Sequence, residues 1–86
     1  MLFKKKPVVI EAIKWLGTAK SFNEIIETFP EMKWEPGDMG SYSFTIKTLE
    51  GEHIAAKGDW IIKGVKGEFY PCKPDVFELT YEAIEC

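Results

Sequence analysis

The sequence contains no arginine and no glutamine, and only one histidine. Eleven lysines carry its fixed positive charge against fourteen acidic residues, a formal net charge of −3. Arginine's planar fork is the usual means of bidentate contact with phosphate or guanine. Its absence, together with an acidic balance, argues against a dedicated DNA reader. Cysteine is equally scarce. Cys72 and Cys86 form no CxxC, and with His53 alone there is no ligand set for zinc. Free thiols in a reducing cytoplasm are the expectation. No run approaches the ~20 apolar residues that span a bilayer. The apolar stretch after Lys4, Lys5 and Lys6 is interrupted by Glu11 and Lys14 and has no small-residue cleavage site, so a signal peptide is not expected. Gly64 and Gly67 precede no helix, which excludes a glycine-rich phosphate loop.

What remains is an ordinary folding composition. Of 86 residues, 45% are apolar and 14% aromatic, enough for one core. A chain this short buries only roughly 60–65% of its unfolded surface, so a stability of about 5–8 kcal/mol is expected. Residues 1–86 read as one domain.

Residues 7–15 (PVVIEAIKW) have apolar residues on both faces of an alternating pattern and predict a central strand. Residues 21–29 (SFNEIIETF) predict a helix, with Ser21 and Glu24 as a capping box and Phe22, Ile25, Ile26 and Phe29 as its apolar stripe. Residues 30–41, with two prolines and two glycines, predict a loop from which Met32 or Trp34 tucks against the core. Residues 42–49 alternate and turn at Glu50–Gly51 into a partner at 52–56. Strands at 60–65 and 68–72 follow, joined at Lys66–Gly67, so residues 42–72 predict a four-stranded meander. Pro71 assigns the last strand to an edge. Pro74 opens a helix, and Val76, Leu79, Thr80 and Ala83 have helical spacing; the alternative, preferred on composition, is one helical turn (DVFEL) followed by a short strand at Thr80–Ile84. The fold class predicted is α+β: a bent antiparallel sheet of about five strands, barrel-like if it closes, packing one main helix.

The run from Lys57 to Glu82 carries a wider pattern. Gly58–Asp59–Trp60 leads into an apolar strand, and Gly67–Glu68–Phe69–Tyr70–Pro71 follows. Lys73–Pro74 and Phe77–Glu78 with Thr80–Tyr81 complete it. This run, with the opening PVVIEAIKW, resembles a family of small bacteriophage and prophage proteins grouped as PGDYG. Lys57 departs from the family pattern, which has proline there. The resemblance covers about the last third of the chain well and the first strand weakly. It implies a phage or prophage origin and residence in the host's cytoplasm. It implies no reaction, so no catalytic residues carry over.

Individual side chains favour structural roles. Asp59, after a glycine, suits local capping of backbone amides. Cys72 with His53 has only the adjacent Lys73 as an electropositive setting for a nucleophile, so a buried or half-buried thiol is the expectation, and no carboxylate pair has the spacing of an acid–base dyad. No enzyme activity, metal or cofactor is expected. The aromatics exceed what so small a core can hide, and adjacent Phe69 and Tyr70 must face opposite ways in a strand. Trp60, Lys63, Lys66, Tyr70 and Lys73 are therefore the candidate binding residues. The leading expectation is a non-catalytic accessory protein that binds a host protein and antagonises host defence. The alternative is a small-ligand binder, such as a sponge for a nucleotide signal, formed in one version across a homodimer.

Overall fold

The computed structural model describes residues 1–3, 9–37, 40 and 42–81. Among them are six strands and two helices: β1 Glu11–Lys14, α1 Ala19–Thr28, β2 Lys33–Pro36, β3 Phe44–Thr48, β4 Gly51–Ala55, β5 Trp60–Lys63, β6 Phe69–Cys72 and α2 Pro74–Thr80. The class is α+β. The single sheet of about five strands is not formed, and no barrel closes. Two antiparallel three-stranded sheets stand in its place, ordered β1-β5-β6 and β2-β3-β4.

The meander divides between β4 and β5 because the chain turns a tight corner there. Asp59 is buried, and its Oδ2 accepts a hydrogen bond from the Ala56 amide at 3.0 Å. The Asp59 amide donates to the Ala56 carbonyl at 2.9 Å, and Gly58 holds φ +98°, a conformation open to glycine. The corner is joined to the end of β1. Trp15 N–H donates to the Asp59 carbonyl and Gly58 N–H to the Trp15 carbonyl, at 2.8 and 2.7 Å. Strand β5 therefore pairs with β1 rather than with β4.

This pairing also moves the first strand from centre to edge. β5 is central, and β1 is limited to four residues. Pro7 and Val8 of the expected strand lie outside the described residues. The 30–41 segment is not all loop. β2 pairs with β3, placing Trp34 opposite Ile46 and Glu35 opposite Thr45. Met32, just before it, is buried in the core, whereas Trp34 is 38% exposed and meets Phe22 edge-on at 4.5 Å.

Helix α1 starts earlier than its sequence pattern suggests. Thr18, not Ser21, is the N-cap, and its hydroxyl accepts from the Ser21 amide at 3.1 Å. Ser21 Oγ is engaged elsewhere: it accepts from Leu16 N–H at 2.9 Å and donates to the Lys14 carbonyl at 3.2 Å. That pair of bonds fastens the helix start to the end of β1. The apolar stripe holds as expected, with Ile25 and Phe29 buried and Phe22 packed beside them.

The main core lies between α1 and the two sheets. Ile25, Phe29, Met32, Phe44, Ile46, Ala55 and Ile61 fill it with Trp15, and Phe69 joins it by a ring contact to Phe29 at 5.4 Å. The C-terminal segment departs from expectation in length. α2 runs for seven residues through Thr80, and residues 82–84 of the expected strand lie outside the described residues. One main helix thus becomes two. α2 covers the face of the β1-β5-β6 sheet turned away from α1, as its aromatic contacts show.

Candidate functional site

Strand register separates the five candidate residues. Trp60 is opposite Cys72 and Ile62 opposite Tyr70, so these four share one face of the β5–β6 pair. Ile61, Lys63, Phe69 and Pro71 share the other. Lys63 therefore does not converge with Trp60 and Tyr70. It lies on the core-facing side, with Nζ 4.0 Å from a Glu31 carboxylate oxygen.

The Trp60–Tyr70 face is not open either. Phe77 of α2 stacks on Trp60 with ring centroids 4.3 Å apart and planes 10° apart, and Tyr81 lies 5.2 Å beyond Phe77. Ile62, between Trp60 and Tyr70 on that face, is fully buried. Burial, reinforced by a hydrogen bond with Tyr81, pushes the Tyr70 hydroxyl up to about 12. Burial also raises the Cys72 thiol, helped by the Asp59 and Asp75 carboxylates. A thiol shifted that way is a poorer nucleophile. Lys73 is spent on structure: its Nζ sits 3.3 Å from both oxygens of buried Asp59, tying the start of α2 to the β4–β5 corner. An outward aromatic with free lysines beside it is thus replaced by a small second core, Trp60–Ile62–Tyr70–Phe77–Tyr81.

The Tyr70 shift has a measurable sign. A folded-state value raised above the ordinary 10 means that neutral Tyr70 favours the fold. Its contribution is complete below pH 10 and is lost as pH rises toward 12. Tyr70→Phe is expected to flatten the alkaline limb of a Tm-against-pH curve between pH 10 and 12. An unchanged limb would show that the hydroxyl carries none of it.

An open feature among the described residues lies at the sheet ends. A groove of about 1170 Å³ runs between the tip of the β3–β4 hairpin and the tip of the β5–β6 hairpin. It is lined by Leu49 and Val65, both exposed, and by His53, Phe69, Tyr70 and Pro71. Of the five candidates, Lys66 and Tyr70 reach it and the other three do not. The rim mixes charges: Glu31, Glu50 and Glu68 face Lys33, Lys47 and Lys66. Lys47 is held by Glu35, with Glu52 at 4.0 Å, and the hydrogen bond to Glu35 raises its pKa. Sequence patterning did not single out Leu49 and Val65, because each sits in a turn beside polar residues. The only signal was an apolar residue at a hairpin tip, where a polar one is usual.

Among the described residues, no cluster of three or more His, Cys, Asp or Glu side chains could hold a metal ion. None of the described helices is long and apolar enough to cross a membrane. No family model, curated protein or solved structure matches this chain.

Proposed function

We propose that this chain is a non-catalytic binding protein that engages another protein through the groove between its two hairpin tips. The observation that carries this reading is the composition of that groove: apolar tips at Leu49 and Val65, an aromatic and proline lining, and a rim of both charge signs. Protein-binding surfaces combine an apolar centre with a polar rim in this way. The resemblance of the Lys57–Glu82 run to PGDYG-like phage proteins supports a phage or prophage accessory role. The partner would then be a bacterial host protein in the host cytoplasm, and antagonism of host defence is one such role.

The nucleotide-sponge reading ranks second. Its stacking aromatic, Trp60, is already stacked on Phe77, and the groove rim carries as many carboxylates as lysines, so it offers no concentrated positive charge to a phosphate.

The test is capture from bacterial lysate by the wild-type chain and by the double variant Leu49→Asp/Val65→Asp. Both side chains are exposed, so the variant is expected to melt within about 0.5 kcal/mol of wild type. A partner recovered by wild type and lost with the variant supports the proposal. Equal recovery by both, or no specific partner for wild type, refutes it.

A further inference from the structure

We infer that the partner is captured as an extended strand laid along the outer edge of β4, with alternate side chains entering the groove. This inference rests on the binding reading above and adds the mode of recognition. Each of the two sheets has two edge strands. Unpaired edges present rows of N–H and C=O groups, and folded proteins usually block them.

Three of the four edges are blocked in whole or part. On β6, Gly64 N–H donates to the Glu68 carbonyl at 2.7 Å, which sets the alternation along the β5–β6 ladder. Pro71, three pairs further on opposite Ile61, then occupies a non-hydrogen-bonded position. Its missing N–H falls on the outer edge. On β2, Pro36 lies opposite Phe44, which also pairs with Ala55 of β4, and the ladder again leaves proline's missing donor facing outward. On β1, the Lys14 carbonyl is taken by the Ser21 hydroxyl.

β4 has no such device. The two-residue turn Leu49–Glu50 makes Thr48–Gly51 the closing pair, so the backbone groups of Glu52 and Ile54 point away from β3. Among the described residues no hydrogen bond reaches them from that side. Glu52, His53 and Ile54 are all exposed.

The occupant suited to alternating donors and acceptors is another polypeptide backbone. A strand added there would place every second side chain on the face that carries His53 and Ala55, and His53 lines the groove. Its apolar residues would meet the Phe69–Pro71 lining. The intervening residues would stand beside Glu52 and Ile54, where polar or basic groups fit. Two copies pairing through Gly51–Ala55 would each lay the other's β4, with its exposed Glu52 and His53, beside the groove rather than an apolar segment that fills it. A partner peptide with alternating apolar residues therefore fits better than a second copy.

The experiment selects nine-residue peptides from a random display library against the whole chain. The selected peptides are expected to alternate apolar and polar residues and to slow amide exchange at Glu52 and Ile54. Methylating alternate backbone nitrogens of the best peptide is expected to weaken binding about tenfold or more, the equivalent of one or two lost hydrogen bonds. Ile54→Pro removes an outward N–H without touching the β3–β4 ladder and is expected to do the same, with an unchanged circular dichroism spectrum. Peptides that bind through the groove but keep their affinity after N-methylation would overturn strand addition while leaving the binding function standing. Failure to select any peptide would overturn strand addition, and the lysate capture described above still decides the binding reading. If Ile54→Pro misfolds, the N-methylated peptide on wild-type protein still decides the matter.

Discussion

Phe29→Ala is expected to be the most damaging single substitution, costing about 3–5 kcal/mol. Phe29 is 1% exposed and closes the C-terminal end of α1 against the core. Its ring meets Phe69 of β6, so it joins the helix to the β1-β5-β6 sheet directly. Removing it leaves a cavity that neither neighbour can fill, because Ile25 and Ile61 are already fully buried in place. Against a total of roughly 5–8 kcal/mol the loss is at least about a third of the fold's stability. Urea unfolding should show a midpoint at about 60% of wild type or lower, and thermal melting a Tm lower by about 15 °C or more. A loss under about 1 kcal/mol would mean that α1 does not pack on that sheet as described.

Asp59→Ala is expected to cost about 2–3 kcal/mol, large for a change that removes no apolar surface. The carboxylate satisfies the Ala56 amide and holds Lys73, and it is 3% exposed. Without it the Ala56 N–H loses its acceptor, and the link from the β4–β5 corner to α2 is cut. Lys73 is mostly exposed, so most of the loss comes from the amide and the corner rather than from the ion pair. Asp59→Asn keeps a neutral acceptor and should recover about half. Amide exchange at Ala56 and in the first turn of α2 should quicken in Asp59→Ala before the main core is affected. Stability within about 0.5 kcal/mol of wild type would show that the corner holds without its aspartate.

The two changes also show how far the sequence could be read. The Phe22–Ile25–Phe29 stripe was legible because helical spacing is a local property, and both buried members lie where the spacing puts them. The β3–β4 and β5–β6 hairpins were legible for the same reason, each being an alternating run closed by a turn, although the first turns at Leu49–Glu50 and not at the expected Glu50–Gly51. Thr18 was missed as the cap because Ser21 offers the same hydroxyl four residues before Ile25. Only the spatial proximity of Lys14 and Leu16 diverts that hydroxyl. β2 was hidden because Pro36 and Gly37 read as loop, and nothing local reveals that Trp34 will find Ile46.

The candidate site was less legible than the fold. Trp60 and Tyr70 stood out as more aromatic surface than one core could hold and were read as a binding surface. The chain resolves that surplus by building a second core beneath α2, which depends on Phe77 and Tyr81 arriving over the same sheet face. Lys63 and Lys73 looked free because charge in a sequence carries no information about partners. Glu31 and Asp59 come from distant turns.

The sequence by itself determined the class of this protein, its hairpins, the apolar face of its main helix and the proline at one strand edge. These follow from neighbours within a few residues. Only the tertiary structure decided that the strands divide into two sheets at Asp59, that α2 closes over Trp60, and that β4 has no strand beyond it among the described residues. Those outcomes depend on backbone groups of residues far apart in the chain. Each of these groups must find a partner, and the pattern along the chain does not say which.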